Sequence, residues 1–317
     1  MRVGHNPARF VEKVAQPAEV TVAVVNCIPF LSGYYEQSLD VLKVAVTSIH
    51  ESTPEQHDLM VFDNHSCPEV HQYLQEAYEQ GIIQYLVLSD KNIGKIGAWN
   101  FMFSAAQGKY VAFSDGDVGF RPGWLPASLA LFEAFPNVGM VTARPMRGPL
   151  QYCSASLDWG RQHPNIFVEG HFMDWETFWE HAKSLGLGGQ EARASHSAGT
   201  DFRLTFGGKV AYIGAAHFQF MARCDVLRKI IPLPSSQPMR GERALDIAIN
   251  EMELLRLGIE KPLVWHIGNS LPDSASRPVP VAKRKSLLQH LLWLPVIRNA
   301  LLWLNNRIFR LYFFNVE

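Results

Sequence analysis

Two aspartates with one glycine between them, Asp115, Gly116 and Asp117, close an apolar run that reads AFSDGDVGF over residues 112–120. In an extended chain, residues i and i+2 face the same side. Both carboxylates therefore converge if strand geometry continues through Gly116, and the glycine lets backbone and ligand approach closely. Paired hard oxygens at a strand end suit a hard divalent ion. Mg2+ is typically held by one or two carboxylates, with substrate phosphates and water completing its shell. The chemistry indicated is the handling of a metal diphosphate. Taken alone, D-G-D also reads as an acidic turn after a strand.

The elements around this pair set its position. VTVAVVN (20–26), DLMVFDN (58–64), IIQYLVLS (82–89) and KYVAFSD (109–115) read as four buried strands. Between them lie helical patterns over 34–52, 68–81 and 94–108, the first with Leu39, Leu42, Val46 and Ile49 at helical spacing. Strand and helix alternate with short connections, which predicts an α/β fold with a parallel sheet covered on both faces. Ligands of such sheets bind beyond the carboxyl ends of the strands. Asn26, Asp63 with Asn64, and Asp115 to Asp117 all fall there. A further helix is expected over 121–136, a strand over 137–143, strands leading into a helix over 209–230, a helix over 242–258 and a last strand over 261–270. Residues 144–205 are rich in Gly, His and Trp and read as an insertion with one or two helices, one around MDWETFWEHAKSLG.

The chain has 317 residues, 47% of them hydrophobic and 19% charged, which fits a folded protein with a sizeable core rather than a disordered one. A net charge of −1 gives no field for nucleic acid. Cys27, Cys67, Cys153 and Cys224 are widely spaced and form no C-x-x-C pair, so a reduced, cytoplasmic protein is expected. The first twenty residues show no apolar core of a secretory signal, and no apolar run reaches membrane-spanning length. Asn64-His65-Ser66 fits a glycosylation sequon and, without a signal, is read as chance.

With these pieces in place, the chain resembles a family 2 glycosyltransferase of the GT-A fold. The resemblance rests on VTVAVVN, VFDNHS, NIGKIGAWN, FSDGD and PGWL in that order, followed by GAAHFQFMAR and a late helix holding an acidic residue. It is dense over 20–145, looser over 205–268, and absent from 144–205 and the tail. It implies a single mixed, mostly parallel sheet with helices on both faces, plus a C-terminal helical tail. The organisation implied is a lead-in at 1–18, a nucleotide-sugar-binding half at 19–120, an acceptor-binding half at 121–271 with its insertion at 144–205, and a linker and amphipathic tail at 272–317.

By the same resemblance, Asp63 would meet the nucleobase edge, with Asn26 on the neighbouring strand end. Lys95 would take the diphosphate at a helix start, where N–H groups and a cation favour anions, and Asn92, Gly94 and Asn100 would shape that wall. Asp115 would meet the ribose or the metal's water shell. Asp117 would ligate Mg2+ or Mn2+, and His266, in LVWHIG, matches a position that supplies a further ligand; the alternative for His266 is a capped strand end. The donor implied is a nucleotide-diphosphate sugar, and the acceptor a glycan or lipid-linked glycan.

Family 2 implies inversion, a single displacement in which one carboxylate takes the acceptor proton. The acidic pair usual in the family is missing from GERALDIAINEMELLRLG (241–258). Asp246 stands nearest the expected place, with apolar neighbours whose burial of it favours a base, and Glu242 and Glu251 are the alternatives. His217 and Gln219 are candidate acceptor partners. Of Trp124, Trp159, Trp175 and Trp179, Trp124 is the candidate sugar face. The polar run HFMDWETFWEH (171–181) is read as a solvated helix face rather than a metal site. The tail KRKSLLQHLLWLPVIRNALLWLNNRIFRLYFF (283–314) mixes basic and apolar residues as an interfacial membrane helix does. It predicts either peripheral contact with the cytoplasmic face of a membrane, or helical packing on the domain or across a homodimer. Two rival functions are a sugar nucleotidyltransferase, disfavoured by the uncharged NCIPFLSGYY after the first strand, and a non-catalytic scaffold that binds nucleotide-sugar or glycan.

Overall fold

A computed structural model describes residues 4–271 except 238 and 240, together with 303, 304 and 307. The chain divides into two compact units, Met1–Leu271 and Pro272–Glu317. The expected linker and amphipathic tail therefore lie outside the described residues, apart from Trp303, Leu304 and Arg307, which are helical.

The first unit begins as the alternation in the sequence requires. β1 (Val20–Asn26) is buried along its whole length. Val22 and Val24 enter one core and Ala23 and Val25 the other, as in a strand covered on both sides. There follow α1 (Ser38–Ser52), β2 (Asp58–Asn64), α2 (Pro68–Glu79), β3 (Tyr85–Ser89), α3 (Gly94–Ala105) and β4 (Tyr110–Asp115). β5 (Val118–Phe120), α4 (Trp124–Ala134), β6 (Val138–Thr142), α5 (Ser154–Gln162), β7 (Phe167–Gly170), α6 (Trp175–Ser184) and α7 (Gly189–Ala198) come next. The unit closes with β8 (Asp201–Phe206), β9 (Lys209–Ile213), β10 (Gln219–Arg223), α8 (Cys224–Ile230), α9 (Arg243–Glu251), β11 (Leu255–Ile259) and β12 (Val264–His266).

Ten strands form one sheet in the order β3-β2-β1-β4-β10-β6-β11-β9-β8-β7. The first four are parallel, with Val22 opposite both Leu59 and Ala112. β10 then lies antiparallel between β4 and β6, setting Phe220 opposite Phe113. β11 runs parallel to β6, and β9, β8 and β7 follow antiparallel. The sheet is mixed, as expected, with helices on both faces. Side chains of α1, α2, α4 and α5 fill one core; those of α3, α8 and α9 fill the other. In the second core Trp99 is fully buried and meets Phe113 and Phe220 edge-on, with ring centroids 5.1 and 5.6 Å apart.

Three expectations need correction. The helix predicted over 242–258 stops at Glu251; Glu253 takes a left-handed φ of 55°, and Leu255–Ile259 becomes β11. All five residues of β11 are buried, because a central strand buries both its faces where a surface helix buries one. Gly258 belongs to that strand by necessity, since a Cβ there would lie 2.5 Å from the Arg144 carbonyl oxygen. Residues 144–205 are not set apart from the sheet. They carry α5, α6 and α7, and β7 with β8 extends the sheet to its far edge. Finally, the residues after Asp117 do more than turn. β5 pairs with β12 in a separate two-stranded ribbon that sets His266 opposite Val118.

Candidate active site at the end of the fourth strand

Asp115 ends β4, and its backbone N–H donates to the Phe218 carbonyl at 2.8 Å, so the acidic tip is braced by the segment entering β10. Lys95, in the first turn of α3, places Nζ 2.7 Å from the Asp115 carboxylate. The same ammonium lies 5.5 Å from the Trp99 ring centre and 5.4 Å from that of Phe113, so its stem crosses an aromatic floor. Burial pushes the Asp115 carboxyl up to about 6; Lys95 opposes this and the nearby Asp117 adds to it. Gly116 is closely packed, since a Cβ there would lie 3.0 Å from the Asn26 Cβ and 3.2 Å from the Val25 carbonyl oxygen.

Asp117 faces the ribbon. His266 Nε2 lies 3.3 Å from Asp117 Oδ2, and His266 Nδ1 lies 3.0 Å from Ser184 Oγ. Burial works against the charged ring, but the Asp117 hydrogen bond and the charges of Asp117 and Asp115 hold the imidazole above its ordinary value. Asp117 Oδ1 is buried and has no hydrogen-bond partner among the described residues. A buried carboxylate oxygen without a donor, beside an imidazole, is the kind of donor set a divalent cation completes. Among the described residues no group of three or more His, Cys, Asp or Glu side chains forms a metal cage. The residues thus fit an ion held by a few protein ligands and completed by a substrate.

The polar layer beyond β1 and β2 is closed on itself. Asp63 is fully buried and accepts from Asn26 Nδ2 at 2.6 Å, Ser66 N at 2.9 Å and His71 Nε2 at 2.8 Å. Both oxygens already have donors, so a nucleobase here would meet Asp63 only by replacing one of them. Asn26 Oδ1 is buried without a hydrogen-bond partner among the described residues. Asn92 Oδ1 accepts from Asn64 Nδ2 at 3.0 Å and Gly94 N at 2.8 Å, which fixes the start of α3 and hence Lys95. Asn100 exchanges two 2.8 Å hydrogen bonds with the backbone of Leu233 and acts as a clasp rather than a wall.

Asp246 is the most constrained of the candidate bases. It is a buried residue of α9, not surrounded by apolar groups alone. His217 Nε2 lies 2.6 Å from its Oδ2, and the Arg256 guanidinium contacts its Oδ1. The Arg256 guanidinium, itself buried, also donates to the carbonyls of Tyr152 at 2.7 Å and Ala215 at 3.2 Å. Glu251 is exposed at the end of α9, and Glu242 is half-buried just before it.

Two acceptor-side expectations fail on burial. Trp124 is fully buried in the first core, with its indole N–H donating to Thr53 Oγ1 at 2.8 Å, so it presents no face to a sugar. Gln219 is also fully buried, and its Oε1 accepts from Ala143 N at 2.8 Å. The reading of 171–181 as solvated fails at its end. Glu180 pairs with Arg121 and Arg144, and burial, with Arg144 and His266 adding, depresses His181 to about 3. Sequence reasoning also missed His71, Arg144 and Arg256. A lone arginine in the apolar run Leu254–Ile259 was the available signal, because a buried guanidinium requires a counter-charge.

Residues 32–169 match the family described as Glycosyl transferase family 2. No curated protein matches the chain. Among solved structures, S. aureus TarS 1–349 is similar at a TM-score of 0.44 and 11% identity, over 77% of this chain and 61% of that one. TarS 1–349 in complex with UDP-GlcNAc is similar at 0.48 and 10%, over 83% and 62%. GalNAc-T7 with UDP, GalNAc and Mn2+ is similar at 0.48 and 14%, over 86% and 47%. The chain therefore spans less than two thirds of each of these proteins. The segment that matches this family model, 32–169, is the one that holds Asp63, Lys95, Asp115 and Asp117.

Proposed function

We propose that this chain transfers a sugar, with inversion, from a nucleoside diphosphate donor to a hydroxyl of a glycan or lipid-linked glycan, with help from Mg2+ or Mn2+. The observation that carries the proposal is the convergence at the tip of β4. There the Lys95–Asp115 pair at 2.7 Å stands beside the Asp117–His266 pair at 3.3 Å and a buried Asp117 oxygen without a donor. Asp117 and His266 are the residues that would hold the cation. Bound there, a divalent ion neutralises charge that builds on the leaving diphosphate.

The chain's own groups have distinct tasks in this reading. Lys95 and the N–H groups at the start of α3 bind the diphosphate, since both present positive charge. Asp115, anchored by Lys95, takes the ribose or a water of the metal shell. Asn26 and the Asp63 network shape the nucleobase end, and Asn92, Gly94 and Asn100 hold α3 in position for Lys95. The acceptor proton goes to the Asp246 locus. The basic and apolar tail serves the same reaction by holding the protein against the cytoplasmic face of a membrane that bears a lipid-linked acceptor.

A thermal-shift panel tests the reading: UDP and GDP, each with Mn2+ or Mg2+, against the wild type and Asp117→Asn. A ligand at 100 times its Kd stabilises by about 2.7 kcal/mol, or a midpoint rise of about 5–10 °C for a unit of this size. The expected result is such a rise for one metal–nucleotide pair, lost in Asp117→Asn. No rise with any pair refutes the proposal.

A further inference from the structure

Asp246 is buried and held on both oxygens, whereas the side chain in front of it, His217, remains 30% exposed. We infer that His217, oriented by Asp246, is the group that accepts the acceptor's proton, and that Asp246 is a positioning residue rather than the base. The inference rests on the glycosyl-transfer reading above and names the proton acceptor within it.

The geometry favours one ring tautomer. Asp246 Oδ2 lies 2.6 Å from His217 Nε2, and a carboxylate there accepts only if Nε2 carries the proton. Nδ1 then holds the lone pair, and the bond to Asp246 is the one hydrogen bond that the His217 ring makes among the described residues. The Arg256 guanidinium contacts Asp246 Oδ1 and so fixes the far side of that carboxylate. The dyad also stands next to the diphosphate end of the site. Phe218, the residue after His217, accepts the backbone N–H of Asp115 at 2.8 Å. The Trp99 ring lies 6.5 Å from the His217 ring and 5.5 Å from Lys95 Nζ, so both groups neighbour the same indole. An imidazole backed by a carboxylate is also suited to the task, because one ring nitrogen can take a proton while the other donates to the carboxylate.

In the step, the acceptor hydroxyl gives its proton to His217 Nδ1 as its oxygen bonds to the anomeric carbon. The bond from that carbon to the diphosphate oxygen breaks, and its electron pair leaves on the diphosphate. His217 becomes an imidazolium, stabilised through Nε2–H by Asp246, and later loses the proton to water.

Two measurements test this on the full chain. The first is 15N NMR of the histidine rings without ligand. A protonated Nε2 and bare Nδ1 at His217 are expected, and the opposite tautomer overturns the assignment. The second is turnover of UDP- and GDP-sugars with Mn2+, by hydrolysis, for wild type, His217→Gln and His217→Gly. We expect His217→Gln to lose roughly 10²- to 10⁴-fold in turnover while the nucleotide-induced midpoint rise stays unchanged. Added imidazole should restore part of the activity of His217→Gly. Turnover of His217→Gln within threefold of wild type overturns the inference and leaves the transfer reading standing. A wild type that neither binds a metal–nucleotide nor turns one over overturns both.

Discussion

Replacing Arg256 with methionine removes the cation that faces Asp246 in the interior. The two side chains are 2% and 4% exposed, so almost no water is available to take over. Breaking a buried pair by deleting one partner costs about 3–5 kcal/mol, because the remaining charge is left uncompensated. The Tyr152 and Ala215 carbonyls also lose their donor, at about 1 kcal/mol each, part of which methionine's apolar packing offsets. The expected total is about 4–6 kcal/mol, a large share of the roughly 5–15 kcal/mol that holds a domain folded. Urea unfolding of the full chain measures it, alongside Asp246→Asn and the double variant. Once Asp246 is neutral, the loss of Arg256 should cost about 2–3 kcal/mol less, a coupling well above the additivity error of about 0.5 kcal/mol. If Arg256→Met does not fold, Arg256→Lys keeps the charge and is expected to lose about half as much. A single-variant cost under about 1 kcal/mol, or additive single and double values, refutes the argument.

Three further outcomes are expected. Burial, then Arg144 and His266, hold His181 down to about 3, while in the unfolded chain it takes a proton below about 6.5. Its contribution is therefore present above pH 6.5 and lost as pH falls from about 6.5 toward 3, by up to about 1.4 kcal/mol per unit. Denaturation curves of His181→Phe should show a shallower acid slope than wild type; an unchanged slope contradicts the assignment. Burial, and secondarily Asp63, push the Cys27 thiol up to about 11. Its thiolate at pH 8 is then about a hundredfold scarcer than at an ordinary cysteine, and peptide mass spectrometry after iodoacetamide should find it labelled far more slowly than a free thiol. Finally, full-length protein should float with anionic liposomes, whereas a chain ending at residue 280 should not; equal recovery in solution removes the membrane role of the tail.

The first half of the fold was largely legible in the sequence. The Val20–Asn26 run and the periodic Leu39–Ile49 face admit only a covered strand and an amphipathic helix, and the structure holds both. Local spacing also put Asp115 and Asp117 at a strand end. Lys95 and Asn26 came from the resemblance, and each meets an acidic partner, Asp115 and Asp63. What was not legible depends on contacts between distant segments. His217 and Asp246 are 29 positions apart, and their pairing needs β10 beside β4 and α9 packed on the second face. Arg256 was hidden because LLRLGI carries a helix-compatible period, and only its central place in the sheet selects a strand. Trp124 shows the remaining limit: an aromatic beside a motif reads the same whether it faces a ligand or, as here, Thr53 and the core.

The position of β10 between β4 and β6 has a consequence for biosynthesis. The strand that bears Asp115 is complete once residue 115 leaves the ribosome, but its second neighbour arrives only at residues 219–223. For about a hundred residues of synthesis, at roughly 5–20 residues per second, β4 stands as an open apolar edge of the kind that invites wrong strand pairing. The nascent chain therefore needs protection over those seconds. The site gains its last walls from α9 and β12 only in the final stretch before residue 266.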